Sequence, residues 1–294
     1  MSFPKFLTVW LAILLVFSIM SVSATTAKTL DTMSDSELFT WAEQANQKLV
    51  KLGYEFAIGE IEFFTIGLGR PDDNGPKGRV LRILQEPCRW AAYDPLRAPA
   101  HDNLTWLYQD TWGSTASGIS EIDTGAAIRR AMKTWDSEKC LAKIDIDEVP
   151  YLGGDVTILD VFGFCPIAAD GFGNFLAADI VIAGWYPAVC FGPLTLGMTV
   201  TFVSLDRDIN GDNYADTIHV ETYYNDLWFW AIDALLPFVD TETTVLHEAG
   251  HALGIGHFGP PPVAVMNPVY GGLEQSPLPI DRAGMCTMFA RWPE

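Results

Sequence analysis

The segment HEAGHALGIGH, residues 247–257, holds three of the five histidines in the chain. His247 and His251 are four residues apart, so on a helix their imidazoles lie one turn apart on the same face and can bind one metal ion. Gly254 can take a positive φ at low cost, which lets the chain turn back and bring His257 round as a third nitrogen ligand. Three protein ligands with one open position are typical of catalytic zinc.

Glu248 follows His247 directly and therefore lies one position round the helix. Its carboxylate cannot share the direction of the ligands, but it can reach a metal-bound water. We therefore predict that Glu248 is the general base of a metal-assisted hydrolysis. The alternative is that core or surface histidines merely coincide, which requires five fixed positions within eleven residues to arise by chance.

This segment resembles the HExxHxxGxxH signature of the metzincin clan of zinc endopeptidases. The sequence Val265-Met266-Asn267-Pro268-Val269-Tyr270, with Met266 nine residues after His257, is similar to the methionine turn of that clan in its matrixin form. The resemblance implies that Met266 supports the metal site from below and that Pro268 and Tyr270 border the substrate pocket. It also implies a metzincin-like α+β domain, with a twisted mixed sheet, an active-site helix and a C-terminal helix.

Three features separate this chain from particular families of the clan. Phe258 stands where matrixins usually have a small hydroxyl residue. Pro268 stands where astacins and serralysins place a tyrosine ligand, so we expect no tyrosine on the metal. Only His101 and His219 remain outside the triad, so the second, structural zinc of matrixins is not expected; His219 alternates with apolar neighbours and reads as a surface or packing residue.

A second candidate metal site lies in the polar stretch DRDINGDNYAD, residues 206–216. Its oxygen-bearing side chains resemble the DxDxDGxxD calcium loops of β-hairpins, and Asp206 adds a further carboxylate. Such ligands suit a hard cation. The alternative is a plain polar hairpin turn, because Asn-Gly and Asp-Asn form turns readily. The predicted calcium ligands are Asp208, Asn210, Asp212 and Asp216.

The N-terminus reads as a secretory signal peptide. Lys5 precedes an almost unbroken apolar run from Phe6 to Met20, and Val22-Ser23-Ala24 offers small residues at a cleavage site after Ala24. The run is short for a membrane span, which needs about 20 residues, although an uncleaved anchor is the alternative. We expect a secreted or extracytoplasmic protein with three parts: a signal peptide (1–24), an N-terminal segment or pro-region (25–80) and a matrixin-like metallopeptidase domain (81–294).

The chain has five cysteines, none in the CxxC or CxxH spacing of a metal cluster. Export to an oxidising compartment makes disulfides plausible, and the odd count leaves at least one cysteine without an intramolecular partner. Cys88 precedes the predicted catalytic domain, as does the pro-segment cysteine that matrixins use as a temporary fourth zinc ligand. A disulfide is the alternative for Cys88.

Regular elements alternate along the chain in a way that favours an α+β or mixed α/β domain. A capping box at Ser34 and Glu37 opens a helix that Gly53 ends, and a second helix over Ile122–Lys139 is capped by Asp123 or Thr124. Further helices are expected from about Asp240 and over Asp281–Ala290. The predicted strands are Tyr54–Ile66, Leu104–Gln109, Lys143–Val149, Ala178–Trp185, Met198–Leu205 and Thr217–Tyr224.

The net charge is −19, with 37 acidic and 18 basic residues. Such a surface repels nucleic acid and anionic membranes, so neither is expected as a stable partner. We expect a secreted endopeptidase that hydrolyses protein or peptide substrates with Zn²⁺ and possible Ca²⁺. The alternatives are a catalytically silent metzincin-like binding or adhesion protein and a zinc hydrolase of a non-peptide amide.

Overall fold

The computed structural model describes residues 29, 32–66, 78–84, 87–97, 101–109, 115–141, 144–153, 157, 177–205 and 208–293. The predicted signal peptide and Asp206 lie outside these residues. In the described part of the chain, no helix is both long enough and apolar enough to cross a bilayer.

The described residues contain five helices, four of them close to predicted positions. The second begins and ends earlier than predicted, because its cap is Ser120, whose hydroxyl accepts from the amide of Asp123. The first is capped by Ser34 through a capping box, as predicted. The helices are α1 (Asp35–Lys51), α2 (Glu121–Asp136), α3 (Ala188–Phe191), α4 (Thr241–Ala252) and α5 (Pro279–Met288).

Nine strands form one mixed sheet, and two short strands form a second. The main path runs β11-β1-β7-β8-β6-β4-β5, with β2 paired to β1 and β3 to β8. The mixed sheet and the helices agree with the predicted α+β class. The strands are β1 (Phe56–Ile66), β2 (Val80–Arg82), β3 (Cys88–Trp90), β4 (Leu104–Tyr108), β5 (Ile146–Glu148), β6 (Ile180–Tyr186), β7 (Thr195–Ser204), β8 (Ala215–Asn225), β9 (Trp230–Ala231), β10 (Val239–Asp240) and β11 (Val269–Tyr270).

The N-terminal segment belongs to the same sheet as the predicted catalytic domain. Strand β1 lies between β7, to which it is antiparallel, and β11, to which it is parallel. Sequence reasoning gave no indication of this, because strand pairing depends on contacts far apart in the chain. The segment 25–80 therefore contributes a strand that has neighbours on both sides in the main sheet.

Strand β1 also divides two hydrophobic cores. Phe64 and Ile66 point into the core that contains α2, α4 and α5. Ile61 and Phe63 point into the core on the other face, beneath the apolar side of α1. Successive side chains of a strand point to opposite faces, so one strand can serve both cores.

One disulfide and one buried ion pair hold the elements that flank the predicted site. Cys140 and Cys286 form a disulfide between the end of α2 and α5. Arg97 and Asp179 form a fully buried ion pair, with Nε to Oδ1 at 2.9 Å. Asp179 also accepts the amide and hydroxyl hydrogens of Thr105 in β4 at 2.7 and 3.0 Å. The ion pair therefore ties an irregular segment to the start of β4.

Replacing Asp179 with alanine would leave the Arg97 guanidinium buried without a counter-charge. We expect the free energy of unfolding to fall by about 3–5 kcal/mol. Glu148→Ala is the control, because Glu148 pairs with Arg129 at the surface and such pairs contribute about 1 kcal/mol or less. Urea unfolding at pH 7 measures both variants, and equal losses would contradict the role given to Asp179.

Candidate metal centre

Helix α4 carries the histidine segment and is buried along its whole length. It begins as predicted at Asp240, whose carboxylate accepts from the amide of Thr243 at 2.8 Å. The indole of Trp135 in α2 donates to the carbonyl of Leu246 at 2.8 Å. The indole of Trp90 donates to the last carbonyl of the helix, that of Ala252, also at 2.8 Å. These bonds fix α4 along its axis between the sheet and α2.

The three predicted zinc ligands converge on one point. The Nε2 atom of His251 lies 3.0 Å from those of His247 and His257, which are 3.3 Å from each other. Tetrahedral zinc with bonds of about 2.0–2.1 Å separates its ligand nitrogens by about 3.3 Å. These three residues are the group in the described chain whose ligand atoms are close enough to share an ion. Their geometry fits a zinc ion.

The other ring nitrogens set the orientation of two imidazoles. Nδ1 of His247 is 2.6 Å from the carbonyl of Val265, and Nδ1 of His251 is 2.8 Å from that of Ile255. Each Nδ1 therefore carries the proton and donates it, which leaves the Nε2 lone pair free for a metal. The carboxylate of Glu62 in β1 also contacts Nδ1 of His251.

Burial keeps all three imidazoles neutral. It lowers the pKa of His251 to about 4 and that of His257 to about 3, and it lowers the pKa of His247 well below its usual value. The neighbouring imidazoles add to the effect at His247 and His257. Neutral imidazole is the form that binds metal, so the ligands need lose no proton at neutral pH.

Gly254 and Met266 take the places predicted for them. Gly254 has φ +86°, the conformation that turns the chain between His251 and His257. Met266 is fully buried beneath the helix, and a Cβ added at Gly250 would lie 2.3 Å from its sulfur. The glycine inside α4 is therefore what allows the methionine to approach the helix between the two histidines.

Asp281 holds the methionine turn and was not predicted to do so. Its carboxylate accepts from the amides of Val265, Met266 and Leu278 at 3.0, 3.1 and 2.8 Å. Asp281 is fully buried at the start of α5. Because Val265 also accepts from His247, the carboxylate supports a metal ligand through one intervening residue.

Glu248 is fully buried against β7. Its Oε2 accepts from the hydroxyl of Thr199, and its Oε1 has no hydrogen-bond partner among the described residues. A Cβ added at Gly197 would lie 2.5 Å from Oε1, so the absence of a side chain there makes room for the carboxylate. Burial raises the pKa of Glu248 well above its usual value. Thr199 and Gly197 were not predicted, because their pairing with α4 is set by the sheet.

Strand β1 covers the histidines in this conformation. The ring of Phe64 stacks on the imidazole of His247 with centroids 3.7 Å apart, and its edge faces the ring of Tyr270. The predicted pocket residues therefore face β1: the carbonyl of Pro268 lies 3.5 Å from the amide nitrogen of Thr65, and Tyr270 pairs with Ile66. The Tyr270 hydroxyl accepts from the amide of Asp240 at the start of α4.

The predicted calcium loop forms a turn that its own backbone amides stabilise. Asp208 accepts from the amides of Asp212 and Asn213, Asn210 accepts from that of Asp212, and Asp216 accepts from that of Ile209. The guanidinium of Arg89 bonds Asp212 at 3.1 Å. Burial raises the pKa of Asp216 to about 6. The described carboxylates of the loop do not meet within ligand distance of one ion, so calcium stays a prediction.

The remaining cysteine and histidine predictions are resolved in part. Cys88 is half-buried and carries a thiol. It lies in β3 and lines a cavity of about 150 Å³ that also borders Glu62 and His251, but it is not among the grouped metal ligands. His219 is a packing residue, fully buried and bonded to Glu221. His101 is exposed and hydrogen-bonds Asn103.

Comparison with protein-family models and with curated proteins finds no match to this chain.

Zinc binding tests the convergence of the imidazoles. We expect one equivalent per chain, and His257→Ala should weaken binding by about 100-fold or more, because even outer partners of a ligand contribute about 10–100-fold. The control is His101→Ala, which should bind zinc as the wild type does. Isothermal titration after dialysis against a chelator measures all three, and undiminished binding by His257→Ala would refute the site.

Asp281→Ala tests the support beneath the metal. It leaves three amides without their acceptor, so we expect an unfolding free energy lower by about 3 kcal/mol or more and a zinc affinity lower by about tenfold. Thr287→Ala is the control, since that exposed hydroxyl bonds only a carbonyl of its own helix. Thermal unfolding and zinc titration measure both, and unchanged zinc affinity in a destabilised variant would separate Asp281 from the metal site.

Proposed function

We propose that this protein is a secreted, zinc-dependent endopeptidase of the metzincin clan, similar to the matrixins. The observation that carries the proposal is the arrangement of three neutral imidazoles around one point beside the buried carboxylate of Glu248. A structural zinc site has four protein ligands, whereas three with an adjacent carboxylate suit hydrolysis. The mixed sheet and the helices are compatible with an α+β domain, the class that the resemblance implies.

The two oxygens of Glu248 suit a general base. The Thr199 hydroxyl fixes Oε2, which leaves Oε1 as the atom that accepts a proton. Zinc, when bound, lowers the pKa of a water molecule towards about 7 and polarises a carbonyl. Glu248 would accept a proton at Oε1 and pass it to the leaving amine.

The cysteines support the proposed location. The Cys140–Cys286 disulfide is of the kind that persists in oxidising compartments, and Cys190 is also disulfide-bonded. The predicted signal peptide also supports a secreted or extracytoplasmic location. Protein or peptide substrates remain the proposed partners, and a non-peptide amide is the alternative substrate.

A catalytically silent binding protein is the second candidate function. The full burial of His247 and Glu248 favours it, because a substrate cannot reach them in this conformation. Against it stands Glu248 itself, because a carboxylate buried with one orphaned oxygen is costly and a metal-binding module has no use for it.

Hydrolysis of casein and of a quenched peptide library tests the proposal. We expect chelator-sensitive cleavage by the zinc-loaded chain, or by Phe64→Ala, in which the ring over His247 is removed. Glu248→Gln in the same background should bind zinc equally and lose about 10²–10⁴-fold in kcat/KM. Glu242→Gln is the control, a carboxylate on the same helix that pairs with Arg130 instead. Cleavage undiminished in Glu248→Gln, or absent from both backgrounds, would refute the endopeptidase.

A further inference from the structure

The loop between β8 and α4 exposes large apolar side chains. Trp230 and Val239 pair in the short ladder of β9 and β10 and are buried, whereas Phe229 and Phe238, the residues before them, are 74% and 47% exposed. Successive side chains of a strand point to opposite faces, so the two phenylalanines lie side by side on the outer face of the ladder. The exposed residues of this loop form what we call the apolar patch: Leu227, Phe229, Leu235, Leu236 and Phe238.

The members of the apolar patch lie close together. The amide of Phe238 donates to the carbonyl of Leu235 at 3.2 Å, which closes a turn that keeps Leu235 and Leu236 close to Phe238. The amide of Val239 donates to the carbonyl of Phe229 at 2.9 Å and joins the two ends of the loop. Single exposed apolar side chains are normal on a soluble protein, but several together mark a surface that a partner covers.

Hydrogen bonds from three side chains hold the backbone beneath the apolar patch. The indoles of Trp228 and Trp230 donate to backbone carbonyls of β7 and β8 at 3.1 and 3.0 Å. The side-chain amide of Gln275 donates to Asp233 at 2.9 Å and to Asp240, the cap of α4, at 3.1 Å. A loop that is already held in one conformation loses little conformational entropy when a partner binds.

The surroundings of the apolar patch are acidic. The chain has no lysine or arginine between Arg207 and Arg282. Asp226 directly precedes the patch, and Asp233 is exposed within the same loop. Glu274 is next to the glutamine that bonds Asp233. A partner that covers the patch therefore meets carboxylates at its rim.

These charges discriminate among the partners that could cover an apolar surface. A second copy of the chain would bring like charges together, and an anionic bilayer would be repelled. Segments that lie on bilayer surfaces are typically rich in lysine and arginine, which this loop lacks. A helix with one apolar face and flanking basic residues complements both the apolar patch and its acidic rim.

We propose that the apolar patch docks a cationic amphipathic helix of a partner protein. The apolar face of that helix lies on Phe229 and Phe238, and its lysines or arginines face Asp226, Asp233 and Glu274. The surface adjoins the start of α4 and contains none of the candidate zinc ligands. Docking requires no hydrolysis, so the inference goes beyond the proposed endopeptidase and does not depend on it.

A helical model peptide of leucine and lysine at amphipathic spacing is the probe, and the same peptide with glutamate in place of lysine is its control. Fluorescence anisotropy measures binding to the full chain carrying Glu248→Gln, in which hydrolysis cannot consume the probe. We expect the lysine peptide to bind about tenfold or more tightly than the glutamate peptide, and its affinity to fall as the salt concentration rises.

Two variants and two controls locate the binding. Phe229→Ser together with Phe238→Ser should weaken binding of the lysine peptide by about tenfold or more, because aromatic residues dominate such contacts. Ile122→Ser, which changes an exposed apolar residue of α2, should not weaken it. Asp233→Asn should weaken it about twofold to fivefold, and asparagine tolerates the φ of 53° at that position. Glu43→Gln on the exposed side of α1 is the control for the lost charge.

Equal affinity for the two peptides, or binding undiminished by the loss of both rings, would overturn the inference. Self-association through the rings in sedimentation velocity, or their attachment to phosphatidylcholine vesicles, without peptide binding would overturn it as well. No peptidase assay enters these measurements, so a failure of the proposed endopeptidase would leave their outcome unchanged.

Discussion

Three imidazole nitrogens held 3.0–3.3 Å apart in a buried place are the constraint on which the rest of the structure depends. Without a cation their lone pairs repel one another, so rigid surroundings must hold the rings in position. Backbone carbonyls at Val265 and Ile255 fix two of the rings, and buried helix α4 fixes their spacing. Burial keeps all three neutral, because an imidazolium there would be poorly solvated.

Two glycines allow a neighbouring side chain to approach the backbone closely near these rings. At Gly250 the helix has no Cβ, which gives the Met266 sulfur a place between the histidine turns. At Gly197 the missing Cβ gives the Glu248 carboxylate a place against β7. Each glycine stands in a regular element, where it lowers local stability by about 0.5–1 kcal/mol relative to alanine. A larger residue at either position would prevent the contact that Met266 or Glu248 makes there.

Short-range signals in the sequence predicted much of this arrangement. The histidine spacing, the Asp240 cap, the Gly254 turn and the capping box at Ser34 are each contained within a few residues, so local geometry determines them. The cap of α2 was wrong by a few residues because Ser120, Asp123 and Thr124 are all able to cap. The sequence did not predict that β1 lies against Pro268 and Tyr270, and the place of these two residues in a substrate pocket stays a prediction.

Contacts between distant parts of the chain explain what the sequence did not reveal. Asp281, Thr199 and Glu62 reach the site from α5, β7 and β1, and no spacing rule connects them to residues 247–257. One signal was available for Glu62, a carboxylate within the mostly apolar strand FAIGEIEFFTI. A buried carboxylate is costly unless it is paired, and here its partner is the imidazole of His251.

The position of β1 makes folding and access to the metal two aspects of one interaction. Its Phe64 face closes the metal centre, while its Phe63 face completes the core beneath α1. Loss of the strand would expose apolar residues of β7 on that second face, among them Met198, Val200 and Phe202. An open β7 edge above an exposed core is prone to aggregation, so a stable open state needs another strand in the gap.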